Sequence, residues 1–126
     1  MDPIADMLVN IKNAALSLKG TASIPFSSEK HAIAELLMKE GYLSSVSISD
    51  NKRSIIVSII YHEKKPRIHG IERVSKPSRR VYLSSKKISS VRGGVGVVVI
   101  STPKGILTGK DARKENVGGE ILFTIW

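Results

Sequence analysis

From Val95 to Ile100 the chain runs Val-Gly-Val-Val-Val-Ile, with no polar residue to offer a solvent face. A strand with one wet face alternates apolar and polar side chains. An unbroken aliphatic run of this length, carried on to Thr102, implies a strand covered on both sides. A strand buried on both faces is therefore expected over Val95 to Thr102. Pro103 has no backbone N–H to give to a ladder, so it ends that strand. Ile106 and Leu107 are expected to pair back after a tight connection. Asp111 to Asn116 reads as a short polar helix, Gly118-Gly119 as a turn, and Glu120 to Trp126 as a final strand, with Trp126 either in the core, the favoured reading, or at a protein contact.

The first half has a different rhythm. Asp2-Pro3 suits a helix start, because Asp can accept free amide hydrogens and Pro fits the first helical position. Ile4, Met7, Leu8, Ile11, Ala15 and Leu18 recur at helical spacing, and Gly20 closes the run. A short strand over Thr21 to Pro25 follows. Ser27 or Ser28 starts a second helix, with Glu29 in its first turn and Ile33, Leu36 and Leu37 inward; Gly41 ends it. Leu43, Val46 and Ile48 lead into the polar turn Asp50-Asn51-Lys52-Arg53, and Ser54 to Tyr61 return. Between the halves, Pro66 to Val74 reads as a strand, SKPSRR (75–80) as a turn, and Val81 to Leu83 as a strand. Ser84 to Val91 holds one helical turn, and Gly93-Gly94 makes a turn. The expected fold class is α+β. An N-terminal lobe (1–63) has two helices on a three-stranded sheet, and a basic, mostly β C-terminal lobe (64–126) carries a short helix.

A chain of 126 residues can bury a proper core, and without cysteine it has no disulfide to lean on. Its apolar runs fall far short of the roughly 20 residues a membrane span needs. The opening MDPIADML carries acids where a signal or transit peptide would carry bases, so the chain reads as soluble and untargeted. Charge is the first functional signal. The net charge is +9, yet residues 1–63 hold six Lys/Arg against seven Asp/Glu, while residues 64–126 hold fourteen against four. The whole excess lies in the second half. Such a surface either solubilises the protein or meets a polyanion, whose condensed counterions are released on contact.

Two segments can carry that contact. In STPKGILTG (101–109) two hydroxyls, Ser101 and Thr102, sit at the exit of the buried strand beside a proline-fixed turn. Hydroxyls and backbone groups can bond base edges and 2′-hydroxyls, Lys104 can meet a phosphate, and Gly105 permits close approach. Composition alone favours the plainer alternative, an ordinary hairpin turn. In RVSKPSRRVY (73–82) Arg73, Lys76, Arg79 and Arg80 make an electrostatic footprint, and Tyr82 offers a ring for stacking. The plainer alternative is a solvated face with a half-buried tyrosine.

Enzyme signatures fail on inspection. Gly94-Val95-Gly96 lacks the third glycine of a dinucleotide fingerprint and precedes its strand. GILTGK (105–110) has too few residues between its glycines for a phosphate loop, and Asp111 stands where Ser or Thr is needed. His31, His62 and His69 lack metal-ligand spacing. Asp111 and Glu115, among Lys110, Arg113 and Lys114, form the pattern of a salt-bridged surface. No catalytic residue, cofactor or metal is expected. A regulator that binds nucleic acid outside any larger particle, and an enzyme using Asp111, Glu115 or His62, remain as competing classes.

Three stretches taken together resemble one family. DPIADMLVNIKNA (2–14), RVSKPSRRVY (73–82) and GVGVVVISTPKGILTGKDARKENVGGEILFTIW (94–126) are similar, in order and spacing, to the bacterial form of the eighth small-subunit ribosomal protein. The resemblance implies two α+β lobes that bind a helix in the central domain of small-subunit ribosomal RNA and help assembly. It implies neighbouring ribosomal proteins, including the fifth and twelfth, repression of the operon's own messenger RNA in some bacteria, and no membrane role. It implies a place in the cytoplasmic small subunit; an organelle-encoded copy would share the pattern. Carried over by residue, it assigns RNA contacts to Ser101, Thr102, Lys104, Gly105, Tyr82, Gly119 and Glu120, with Gly118 beside them. The cations Lys76, Arg79 and Arg80 join them, as do Asp2, Lys12 and Asn13 of the opening helix. Glu120 is expected to accept from a base amino group or to position Lys104. Two positions depart from the family pattern. Pro103 replaces a second serine, removing one hydroxyl and one backbone donor. Ser78 replaces a glycine, at a turn expected to need positive φ.

Overall fold

The computed structural model describes residues 2–88 and 96–126. Val91, Gly93-Gly94 and Val95, to which the sequence assigns the end of a helical turn, a turn and the start of a strand, lie outside the described residues. The fold is α+β, in two compact units: Pro3–His69, and Gly70–Trp126 together with Asp2.

In the first unit, helix α1 (Pro3–Leu16) buries Ile4, Met7, Leu8, Ile11, Ala14 and Ala15, a stripe at the three-and-four spacing of one helical face. Leu18 does not extend this stripe. It stands beyond the helix end at φ 58° with its side chain exposed, a left-handed stop ahead of Gly20. The Tyr61 hydroxyl ties this end down, donating to the Ala14 carbonyl (3.1 Å) and accepting from the Gly20 N–H (3.2 Å). Strand β1 (Thr21–Pro25) turns Ala22 and Ile24 inward. Helix α2 (Ser28–Lys39) is capped by Ser27, whose hydroxyl accepts the Lys30 N–H at 3.1 Å. It buries Ile33, Ala34 and Leu37, while Leu36 is only half-buried. Strands β2 (Leu43–Ile48) and β3 (Ser54–Ile59) complete an antiparallel sheet in the order β1-β3-β2, with Ile55, Val57 and Ile59 of the central strand buried. Each such aliphatic side chain contributes about 1.5–3 kcal/mol of burial.

Residues 66–74 are not the single strand that their β-branched content suggests. The chain first makes a minimal hairpin, β4 (Tyr61–His62) with β5 (Lys65–Pro66), around Glu63 and Lys64 at φ 52° and 66°. Two consecutive positive φ values match the right-handed twist of a two-residue hairpin. Arg67 then donates its N–H to the Ile60 carbonyl (2.8 Å) and lays its guanidinium 4.4 Å over the Tyr42 ring, and Ile68 is buried. These contacts keep residues 64–69 with the first unit although their charge belongs with the second.

The second unit is built on the long strand β10 (Gly119–Ile125). One side of β10 pairs with β8 (Val97–Thr102), which pairs in turn with β9 (Gly105–Thr108); the other pairs with β6 (Ile71–Arg73) and β7 (Tyr82–Leu83). Val99 and Ile100 are wholly buried, so β8 is covered on both faces there. Ile100 and Ile121 pack with Ile88, which follows the helical turn Ser85–Lys87, and with Ala112 of helix α3 (Gly109–Lys114). Thr108 caps α3 by accepting the Asp111 N–H at 3.1 Å. Gly119 is a strand residue, not part of a turn. Trp126 is half-buried, exchanges backbone hydrogen bonds with Gly70 and lays its ring where a Gly70 Cβ would sit (2.3 Å). No described helix is long and apolar enough to cross a membrane.

Candidate nucleic-acid interface

The basic segment leaves and rejoins a single sheet edge. β6 lies against residues 123–125 of β10 and β7 against residues 119–120, both antiparallel to it. Residues 71–83 are therefore one edge strand interrupted by a loop. Ile121 closes the neck from β10: its carbonyl accepts the Ser75 N–H (3.1 Å) and its N–H donates to the Val81 carbonyl (2.8 Å). Ser75, with no exposed surface, closes it from within. Its hydroxyl accepts the Val81 N–H at 2.8 Å and donates to the Val81 carbonyl at 3.3 Å. Above this neck Lys76 and Arg79 exchange both backbone hydrogen bonds (2.9 Å each) around Pro77-Ser78, and Lys76, Arg79 and Arg80 are exposed. Ser78 does not take a positive φ, so the strain expected of a side chain there does not arise.

Across the sheet the registers line up three of the sequence-predicted residues. Tyr82 of β7 faces Glu120 of β10, and Glu120 faces Ser101 of β8. Directly opposed residues share a face, so the three form one row, with strands about 4.8 Å apart. Ile100 and Ile121, one residue along, point the other way into the α3 core, so the row belongs to the opposite face. The Tyr82 side chain is exposed (66%), which suits a stacking ring and not a core residue. Gly118 and Gly119 make this alignment possible. A Cβ on Gly119 would stand 2.0 Å from the Ser101 carbonyl oxygen, and one on Gly118 would stand 2.3 Å from that of Leu83. Both strands close on β10 only because those side chains are missing.

Polar partners at the ends of the row differ from expectation. Glu120 pairs with Arg80 (3.0 Å), not with Lys104, and this hydrogen bond and charge raise the Arg80 pKa above its ordinary value. Lys104 pairs with Glu115 at 3.1 Å. The Thr102 hydroxyl is engaged within its own turn, accepting the Lys104 N–H (3.1 Å) and donating to the Gly105 carbonyl (2.8 Å), while Gly105 takes φ 111°. Exposed Lys104 thus stands on the two-residue turn Pro103-Lys104, while Ser101 lies in the ladder of β8 opposite Ile106. Asp2, assigned to RNA by the resemblance, faces Arg73 with both carboxylate oxygens (3.0 and 3.3 Å), and Arg73 also donates to the Leu122 carbonyl. In the first unit, Lys12 and Asn13 are exposed on α1, and Asn13 lines a surface groove with Asp6, Asn10, Lys19 and Ser23.

Comparison with known proteins decides the family. The family model described as ribosomal protein S8 matches residues 2–126. The chain belongs to the ribosomal protein S8 family. Among its S8 relatives, the small ribosomal subunit protein uS8 of Vesicomyosocius okutanii is 48% identical over 127 residues, covering 99% of this chain and 97% of the relative. The uS8 proteins of Persephonella marina and Kosmotoga olearia are 47% and 46% identical, each covering 99% of this chain and 98% of the relative.

Pro103, where the resemblance leads one to expect a second serine, takes the first position of the turn that carries Lys104. What sequence reasoning missed is Ser75, read only as the start of a polar turn. Nothing in the composition of that turn marks this serine as the buried one. Among the described residues no three His, Cys, Asp or Glu side chains gather as a metal ion would require. Glu115 is committed to Lys104, and His31 to Glu35 at 3.0 Å.

Proposed function

We propose that this chain is a structural constituent of the small ribosomal subunit that binds the central domain of small-subunit ribosomal RNA and helps its assembly. The observation that carries the reading is the row Tyr82–Glu120–Ser101 beside a loop of exposed cations. A ring to stack on, a carboxylate and a hydroxyl fixed about one strand apart suit a local RNA shape with splayed or accessible bases. Lys76 and Arg79 supply phosphate affinity that carries no sequence information. Membership of the S8 family and the uS8 names of its relatives support the ribosomal setting. Within the same proposal the chain works without catalysis, in the cytoplasm. It contacts neighbouring small-subunit proteins, the fifth and twelfth among them, and binds its own messenger RNA where that copies the ribosomal helix.

The test is a filter-binding titration at two salt concentrations, comparing a central-domain ribosomal RNA helix with an unrelated hairpin. Selective binding that survives the higher salt is expected. Ser101→Ala and Tyr82→Ala should each weaken the specific complex by about 1–3 kcal/mol, the range for removing a base-edge hydrogen bond or a stacked base. Equal, salt-sensitive binding to both RNAs would reduce the protein to a generic cation and sink the reading. A regulator that never joins the particle would fail to co-sediment with small subunits at high salt.

A further inference from the structure

The cations of the second unit fall into two kinds. Lys76 and Arg79, at the tip of the basic loop, have no acidic partner within 4.0 Å among the described residues. Arg80 and Lys104, which flank the reading row, each have one: Glu120 and Glu115. The Arg80 pair is asymmetric. Arg80 is half exposed, but Glu120 is only 15% exposed and is fixed at its root by ladder pairing to Tyr82 on one side and Ser101 on the other. A largely covered carboxylate rooted in the ladder holds a half-exposed guanidinium, so the position of Arg80 is dictated by the strand and not by its own long stem.

We propose that Glu120 is a specificity-determining residue that acts through Arg80: it holds the guanidinium over the reading row and cancels its charge against any RNA that does not fit. Free guanidinium beside the row would bind every phosphate alike, raising affinity for all RNA and eroding discrimination. Paired with Glu120, Arg80 is offered as a directional donor at one place, and an ill-fitting RNA meets a neutral pair. Any phosphate that takes Arg80 must also accept a carboxylate about one strand away, a like-charge cost that only a correctly seated RNA offsets with its contacts to Tyr82 and Ser101. Phosphate affinity is thereby left to the loop tip, and selectivity to the row. This inference rests on the RNA-binding reading of the row.

The experiment uses the full-length protein and the same two RNAs, with the salt dependence of binding measured for each. Glu120→Gln keeps an oxygen to hydrogen-bond Arg80 but removes the charge. It should tighten binding to the unrelated hairpin about threefold at low salt, steepen the log–log salt slope by about 0.7–0.9, and lower the ratio of specific to unrelated affinity. In an Arg80→Gln background the same substitution should have a clearly smaller effect on the slope and on the ratio, because only the direct repulsion by the carboxylate is then left to remove. Arg80→Gln alone should flatten the slope clearly less than Lys76→Gln does, a comparison that stands even if Glu120→Gln folds poorly. Loss of specific affinity with no change for the unrelated hairpin would mean that Glu120 simply accepts from a base, overturning the proposal. An undiminished effect in the Arg80→Gln background would overturn it too. A wild-type protein that failed to distinguish the two RNAs would overturn the RNA-binding reading itself, which the variants are not needed to detect.

Discussion

Ser75 carries no charge and reaches no solvent, yet the geometry of three cations depends on its hydroxyl. It accepts the Val81 N–H and donates to the Val81 carbonyl, so both ends of the loop are held by one oxygen. In a Ser75→Ala protein the Val81 N–H stays in a half-buried neck without a partner, which costs about 1–3 kcal/mol for an unmade hydrogen bond. Urea denaturation should report that loss as a lower midpoint at unchanged slope. RNA binding should separate the two kinds of contact: affinity for the specific helix falls, while affinity for an unrelated hairpin stays, because Lys76, Arg79 and Arg80 keep their charges. An unaltered urea midpoint would mean the neck is closed by its backbone bonds alone. Ser75 was not legible in the sequence, because SKPSRR announces a turn by composition and nothing in composition marks one serine as buried. Tyr82 was legible as an aromatic beside cations. Its exposure was not, since a tyrosine following Val81 fits a half-buried strand just as well.

At the scale of elements, the buried strand, both long helices and the three-stranded sheet follow from periodicity that hydrophobic burial enforces. β1 occupies Thr21–Pro25 as read, because Ala22 and Ile24 alternate with exposed neighbours between Gly20 and a proline. What periodicity does not carry is the backbone conformation of polar residues. Glu63 and Lys64 take positive φ and make a hairpin turn between the strands read over Ser54 to Tyr61 and Pro66 to Val74, and neither residue type announces it. The Gly118-Gly119 pair misleads in the opposite direction. Two glycines read as a turn, but here they let β7 and β8 close on the start of β10. Gly119→Ala makes this testable. The added methyl has backbone and not a flexible side chain to displace, 2.0 Å away, so the Ser101 end of β8 must move. The expected result is a loss of about 1–3 kcal/mol in stability, the range for overpacking. Specific RNA affinity should fall at least as far as in Ser101→Ala, although no RNA-contacting group has been removed. A Gly119→Ala protein with full specific affinity would show that the row's alignment is not what RNA reads.

On the scale of the whole molecule, the charge asymmetry sets what the protein does before any specific contact forms. The net +10 of residues 64–126 is set beside a net −1 in residues 1–63, and the loop tip concentrates two of those cations without acidic partners. Non-specific affinity for RNA should therefore be local, and not a property of net charge. Two pairs of substitutions, each removing two positive charges, distinguish these cases. Lys76→Gln with Arg79→Gln should flatten the log–log salt slope for an unrelated hairpin by about 1.4–1.8, at roughly 0.7–0.9 for each phosphate no longer neutralised. Lys39→Gln with Lys52→Gln, on exposed positions of the first unit, changes net charge equally and should leave the slope nearly where it was. The specific helix should lose a similar increment with the first pair, because phosphate contacts position an RNA without reading it. Selectivity then survives a large drop in affinity, the opposite of what Ser101→Ala produces. Equal slopes for the two pairs would mean that the polyanion senses only the total charge, and the division between a loop that holds RNA and a row that reads it would have to be abandoned.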